Sequence, residues 1–218
     1  MSEHLTETSN SSAVTRDLTK EKSLAAVWRA AWVIPSRKSW MAVAGACAIA
    51  AGLADPLVDV PSVIAREKLR SLVELGINTT SAVLGFLIAG FTVYSTMTRA
   101  EIFKQMAFVR HEQTGLSYLK YNMFSFVKFF VAYCTFFIWC IALRALVVPD
   151  GPILALVTMN GLPQVGSITT FVSVLTGISV GGMVYVSLLM PSFIFNIYHS
   201  VMTTVRWDIE DDDESTSS

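Results

Sequence analysis

Residues 77–97 read INTTSAVLGFLIAGFTVYSTM, twenty-one residues without a charged side chain. At 1.5 Å of rise per residue a helix over this run is about 31 Å long, which matches the hydrocarbon core of a bilayer. Polarity returns at both edges, with Glu74 before the run and Arg99 and Glu101 after it. Thr98-Arg99-Ala100-Glu101 has the form of a capping box, in which a hydroxyl and a carboxylate satisfy the free N–H groups of a helix start. It predicts a new or bent helix with Ile102, Met106 and Val109 along one side, ending before Gly115.

Three more segments share this character. Trp40 to Leu57 is charge-free as far as Ala54, about 22 Å of helix, and is the shortest span. Asn122 to Val148 holds Lys128 and Arg144, with fifteen uncharged residues between them, so that both cations can snorkel to opposite headgroup layers. Ser167 to Asn196 carries Pro191, where loss of one backbone donor should kink the helix. Hydrophobic residues make up 53 % of the 218 and charged residues 15 %, against roughly 25 % charged in an average soluble domain. The sequence therefore predicts an all-α integral membrane protein: four transmembrane helices in a bundle, at about 40–57, 77–97, 122–148 and 167–196, with interfacial amphipathic helices.

Leu24, Val27, Trp28, Ala31 and Trp32 fall at helical spacing beside Lys22 and Arg29 and predict a helix at the membrane surface, stopped by Pro35. Asp59 to Glu74 places Ala65, Leu69, Leu72 and Val73 on one side and predicts an amphipathic helix outside the membrane or at its outer surface. After the turn Pro149-Asp150-Gly151-Pro152, the apolar run Ile153 to Met159 is too short to span and reads as re-entrant or interfacial. Residues 1–23 read as a disordered cytoplasmic tail without a cleavable targeting peptide, 24–206 as the membrane domain, and 207–218 as an acidic cytoplasmic tail, solvated and disordered.

Lysine and arginine in short loops set orientation. Eleven of them lie before the first span, between the second and third, or after the fourth. Arg66, Lys68 and Arg70 alone lie in the other loops. Both termini are accordingly expected in the cytoplasm, in a multi-pass protein of the bacterial inner membrane. A three-span protein would spoil the asymmetry, so charge bias supports the short first span.

Helices in a bilayer associate through small residues that permit close backbone approach. Ser81, Gly85 and Ala89 form such a face on the second span, and Ser173, Gly177 and Gly181, with Thr169 before them, form another on the fourth. Each serves either packing within the bundle or contact with another copy. Lys128 and Arg144, the ionisable residues inside spans, read as membrane anchors, a structural ion pair or pore charges, with Asp55, Asp59 or Asp150 in reach of Arg144. The acidic run Asp208, Glu210, Asp211, Asp212, Asp213 and Glu214 is a possible contact for a basic cytoplasmic protein.

No spacing assigns a residue to catalysis, to a cofactor or to a metal. His4, His111 and His199 lack ligand partners, and Cys47, Cys134 and Cys140 lack CxxC spacing and read as small buried hydrophobes. A net charge of −1 argues neither for nucleic acid nor for an acidic partner, and no nucleic acid is expected. The expected function is a non-catalytic membrane module, homo-oligomeric, that senses the envelope or recruits a cytoplasmic partner. A stress or antiviral defence system is one setting for such modules, by analogy alone. The alternative is an oligomeric ion channel in which the hydroxyls and glycines of the fourth span or an Arg144 ring line the path. A membrane enzyme is disfavoured for want of a catalytic constellation.

The orientation is testable by labelling intact cells with an impermeant thiol reagent. A cysteine introduced beside Lys104 should be protected and one beside Gly161 should react. The opposite pattern would reverse the topology.

Overall fold

The computed structural model describes residues 20, 23, 26, 27, 29, 38–58, 60–97, 100–110, 115–146 and 165–216, almost all of them helical. The helices are α1 (Lys38–Leu57), α2 (Ser62–Met97), α3 (Ala100–Phe108), α4 (Tyr118–Leu146) and α5 (Val165–Thr216). Among them α1, α2, α4 and α5 are long and apolar enough to cross a membrane, and they match the four expected spans, except that residues 147–148 of the third lie outside the described residues. The chain is a multi-pass membrane protein.

Two elements extend beyond their expected bounds. The amphipathic stretch ending at Glu74 is the first part of the unbroken 36-residue α2, about 54 Å long, rather than a separate surface helix. No proline interrupts it, and Gly76 continues the helix because it is packed against a neighbour. Likewise α5 runs through Pro191 for 52 residues and takes the acidic segment with it, so that segment is helical rather than a disordered tail. Residues 192–216 contain neither glycine nor proline to stop it. The expectations for residues 1–19, Asp59, Thr98, Arg99, Asp150 and Ile153 to Met159 fall outside the described residues, as does most of the predicted surface helix at Leu24 to Trp32.

The described residues form two compact units. One is drawn from Ser36–Leu87 and Val131–Pro191. In it α1 lies directly on α5 through small residues. A Cβ built on Gly177 would stand 2.6 Å from the carbonyl oxygen of Ala48, and one on Gly181 would stand 2.7 Å from the Cβ of Ala48. Gly76 brings α2 against α4, where its Cβ would meet Cys140 Sγ at 2.8 Å. Tyr133 Oη on α4 donates to the Val186 carbonyl on α5 at 2.7 Å, and Trp139 Nε1 donates to Ser179 Oγ at 3.2 Å.

The other unit is drawn from the described parts of Met1–Pro35, Ile88–Phe130 and Ser192–Ser218, and its core is aromatic. Phe126 packs edge-on to Phe91 and Phe193 at centroid distances of 5.4 and 5.5 Å, and Phe129 meets Phe193 at 5.6 Å. Tyr94 joins Phe126 and Phe103. Between α3 and α4, Arg110 and Ser117 form an antiparallel bridge, Gly115 takes φ +67°, Arg110 Nη1 donates to its carbonyl, and Ser117 Oγ caps α4 by accepting from Lys120 N. Ser23 caps a short helical segment in the same way, accepting from Ala26 N, and Val27 in that segment packs with Phe124, Leu116 and Tyr121.

Large apolar residues such as Ile49, Phe86, Ile138 and Phe195 stay more than half exposed. In water this would be an aggregation hazard. In a bilayer it is the lipid-facing surface.

The Gly177 contact makes a sharp prediction. An alanine in a helix is normally better than glycine by about 1 kcal/mol. At Gly177 the added methyl must push backbone apart, so Gly177→Ala should destabilise by about 1–3 kcal/mol in an unfolding titration in mixed detergent micelles. Gly85→Ala, with nothing of the same chain within 4 Å of the new Cβ, should be neutral or stabilising for the single subunit in dilute micelles. Equal stabilities for the two variants would contradict the packing.

Candidate functional site

The structure separates the two small-residue faces that look alike in sequence. On α5, Ser173 is fully buried and Gly177 and Gly181 are buried against Ala44, Ala48 and Gly52 of α1. That face is consumed within the chain. On α2, Ser81, Gly85 and Ala89 are all exposed, and no atom lies within 4 Å of a Cβ built on Gly85.

Charges gather where α2 begins. Asp55, in the last turns of α1, is 3 % exposed, and its carboxylate pairs with Lys68 Nζ at 2.6 Å. Arg144, near the end of α4, pairs with Glu74 of α2, which also faces Arg70 at 3.6 Å. Arg144 therefore does not use Asp55, as the sequence allowed. Asp55 lies within reach of Lys68 instead, and Glu74 stands four residues after Arg70 on the same helix. Lys128 is half-buried in α4. Asp208 and Glu210 to Glu214 lie towards the end of α5, whose last turn contains no basic residue.

One further feature had no signal in sequence. A crevice of about 210 Å³ opens between α2, α4 and α5, lined among others by Thr79, Thr80, Tyr133, Phe136, Ser187 and Met190. Thr80 is 1 % exposed, yet it forms no hydrogen bond among the described residues, while Thr79 and Ser187 are exposed at the rim. A hydroxyl in a crevice wall can be met by a ligand oxygen or by water. Its recognition required the contact of three distant segments, which periodicity within one helix does not reveal.

Among the described residues no group of histidine, cysteine or carboxylate side chains could hold a metal ion. The chain matches no known family, no curated protein and no solved structure.

The Arg144–Glu74 pair is testable by a double-mutant cycle. Both side chains are nearly half exposed, so solvent screening limits the coupling to about 0.5–1 kcal/mol. Arg144→Gln and Glu74→Gln should each destabilise, and the double variant should lose less than their sum. Strict additivity would mean that the pair contributes nothing.

Proposed function

We propose that this chain is a non-catalytic membrane module that assembles with copies of itself, as a four-helix bundle in the bacterial inner membrane with both termini in the cytoplasm. It senses the envelope or recruits a cytoplasmic protein, with a stress or defence system as one setting. The observation that carries the reading is the exposed Ser81–Gly85–Ala89 face of α2. Small residues allow two helices to approach closely, and without a neighbour such a face gives lipid little to pack on. The equivalent face of α5 already has its partner in α1, so α2 offers the free one.

The acidic end of α5 supports recruitment. Six carboxylates fall between Asp208 and Glu214, at the helix end where the backbone dipole is already negative. Like charges three and four residues apart repel one another, and a basic surface would relieve both costs. Pairing with Glu74 also takes from Arg144 the free positive charge on which an anion-selective ring would depend. This favours the module over the channel.

Subunit counting by photobleaching in native-lipid nanodiscs tests the assembly. Wild type should show more than one copy, and Gly85→Leu should be monomeric while retaining wild-type helicity. A monomeric wild type would remove the proposal.

A further inference from the structure

We propose that the crevice between α2, α4 and α5 binds a small neutral amphiphile taken from the bilayer, with an apolar body of about ring size and one hydroxyl or carbonyl oxygen. The site is built from uncharged residues, so a neutral ligand fits and an ion does not. Its volume, about 210 Å³, exceeds the roughly 150 Å³ of an apolar cavity that accepts benzene. Its depth follows from the residues themselves. Tyr133 and Phe136 belong to the uncharged window Phe129 to Leu143 of α4, and Met183 to Met190 to the apolar part of α5. A ligand reaching them partitions into lipid first.

The walls are fixed before any ligand arrives. The Phe136 ring sits against two glycines, 3.6 Å from a Cβ built on Gly76 and 2.7 Å from one built on Gly182, so neither neighbour could be larger. Tyr133 ties α4 to α5 by donating to the Val186 carbonyl, which commits its proton within the protein. The crevice is thus pre-organised, as ligand pockets usually are. What it leaves open is hydrogen bonding. Thr80 lies in the wall, 1 % exposed and without a hydrogen bond among the described residues, and Ser187 stands across from it on α5. In hydrocarbon, lipid tails cannot satisfy these hydroxyls, whereas a ligand oxygen can. An apolar body against Phe136, Val83 and Met190 with its oxygen at Thr80 meets both demands.

The test uses the full chain in nanodiscs and two photoreactive probes, a diazirine derivative of octanol and the corresponding octane, with labelled residues mapped by mass spectrometry. The octanol probe should label Tyr133, Met183 or Met190 saturably. Thr80→Val, which keeps the shape and removes the hydroxyl, should weaken the octanol probe by about fivefold, the equivalent of one hydrogen bond, and leave the octane probe unchanged. Ser187→Phe should block both probes by filling the rim. Labelling that rises linearly with probe concentration, or that is unchanged in both variants, would overturn the site. Equal loss of both probes in Thr80→Val would overturn the role of the hydroxyl.

Discussion

In a bilayer the apolar surface of one helix gains nothing by leaving lipid for another helix, so the fold depends on contacts that lipid cannot imitate. The contact of α1 with α5 is of this kind. Gly177 and Gly181 face Ala44, Ala48 and Gly52, and the missing side chains let two backbones lie closer than any branched pair would permit. Many weak dispersion contacts then accumulate along the seam. α1 is the least buried of the four membrane-crossing helices, with 11 % of its apolar window covered, so these few small residues carry much of its attachment.

The second adhesive is polar. Tyr133 and Trp139 each send a hydrogen bond from α4 to α5, and Lys68 and Arg144 tie α2 to α1 and α4. Such bonds contribute about 0.6 kcal/mol each in membranes, because the separated helices find other partners. Their larger effect is on register: a hydroxyl that must meet the Val186 carbonyl fixes the rotation of α4 as well as its height. The crevice follows from this arrangement. Three helices held by tips and glycines do not close completely over the space between them.

The membrane class and the four spans were legible in the sequence, because a charge-free helix of bilayer length exposes too much apolar surface to be stable in water. Helix ends were less legible. Glu74 and Leu75 give no stop signal, yet a change from amphipathic to apolar character suggested one, and α2 continues through it. The Asp208–Glu214 run looked disordered by composition, while its place at the end of a long helix without breakers keeps it helical. Partners across helices were least legible. Nothing in the spacing of Glu74 and Arg144, seventy residues apart, chooses that pair over Asp55, and nothing in Ser173, Gly177 and Gly181 says that their neighbour is α1 rather than another copy.

α2 shows how the remaining ambiguity resolves. Gly76, Thr80 and Leu87 are buried, and at 100° per residue they share one side of the helix with Val83. Gly85 and Ala89 lie about 140° and 180° around from Thr80, and Ser81 about 100°. The exposed side thus mixes these small residues with bulky ones, Ile88 at about 80° from Thr80 and Val93 and Phe86 at about 220° and 240°. Phe86, Ile88 and Val93, all about half exposed on the same helix, show the kind of residue that a lipid-facing position carries. The buried side carries Leu87 beside Gly76 and Thr80, so small and large residues occur on both sides of the helix. A small residue has a physical purpose where another helix packs closely. On the buried side Gly76 leaves room for the Cys140 and Phe136 side chains of α4, which no larger residue would.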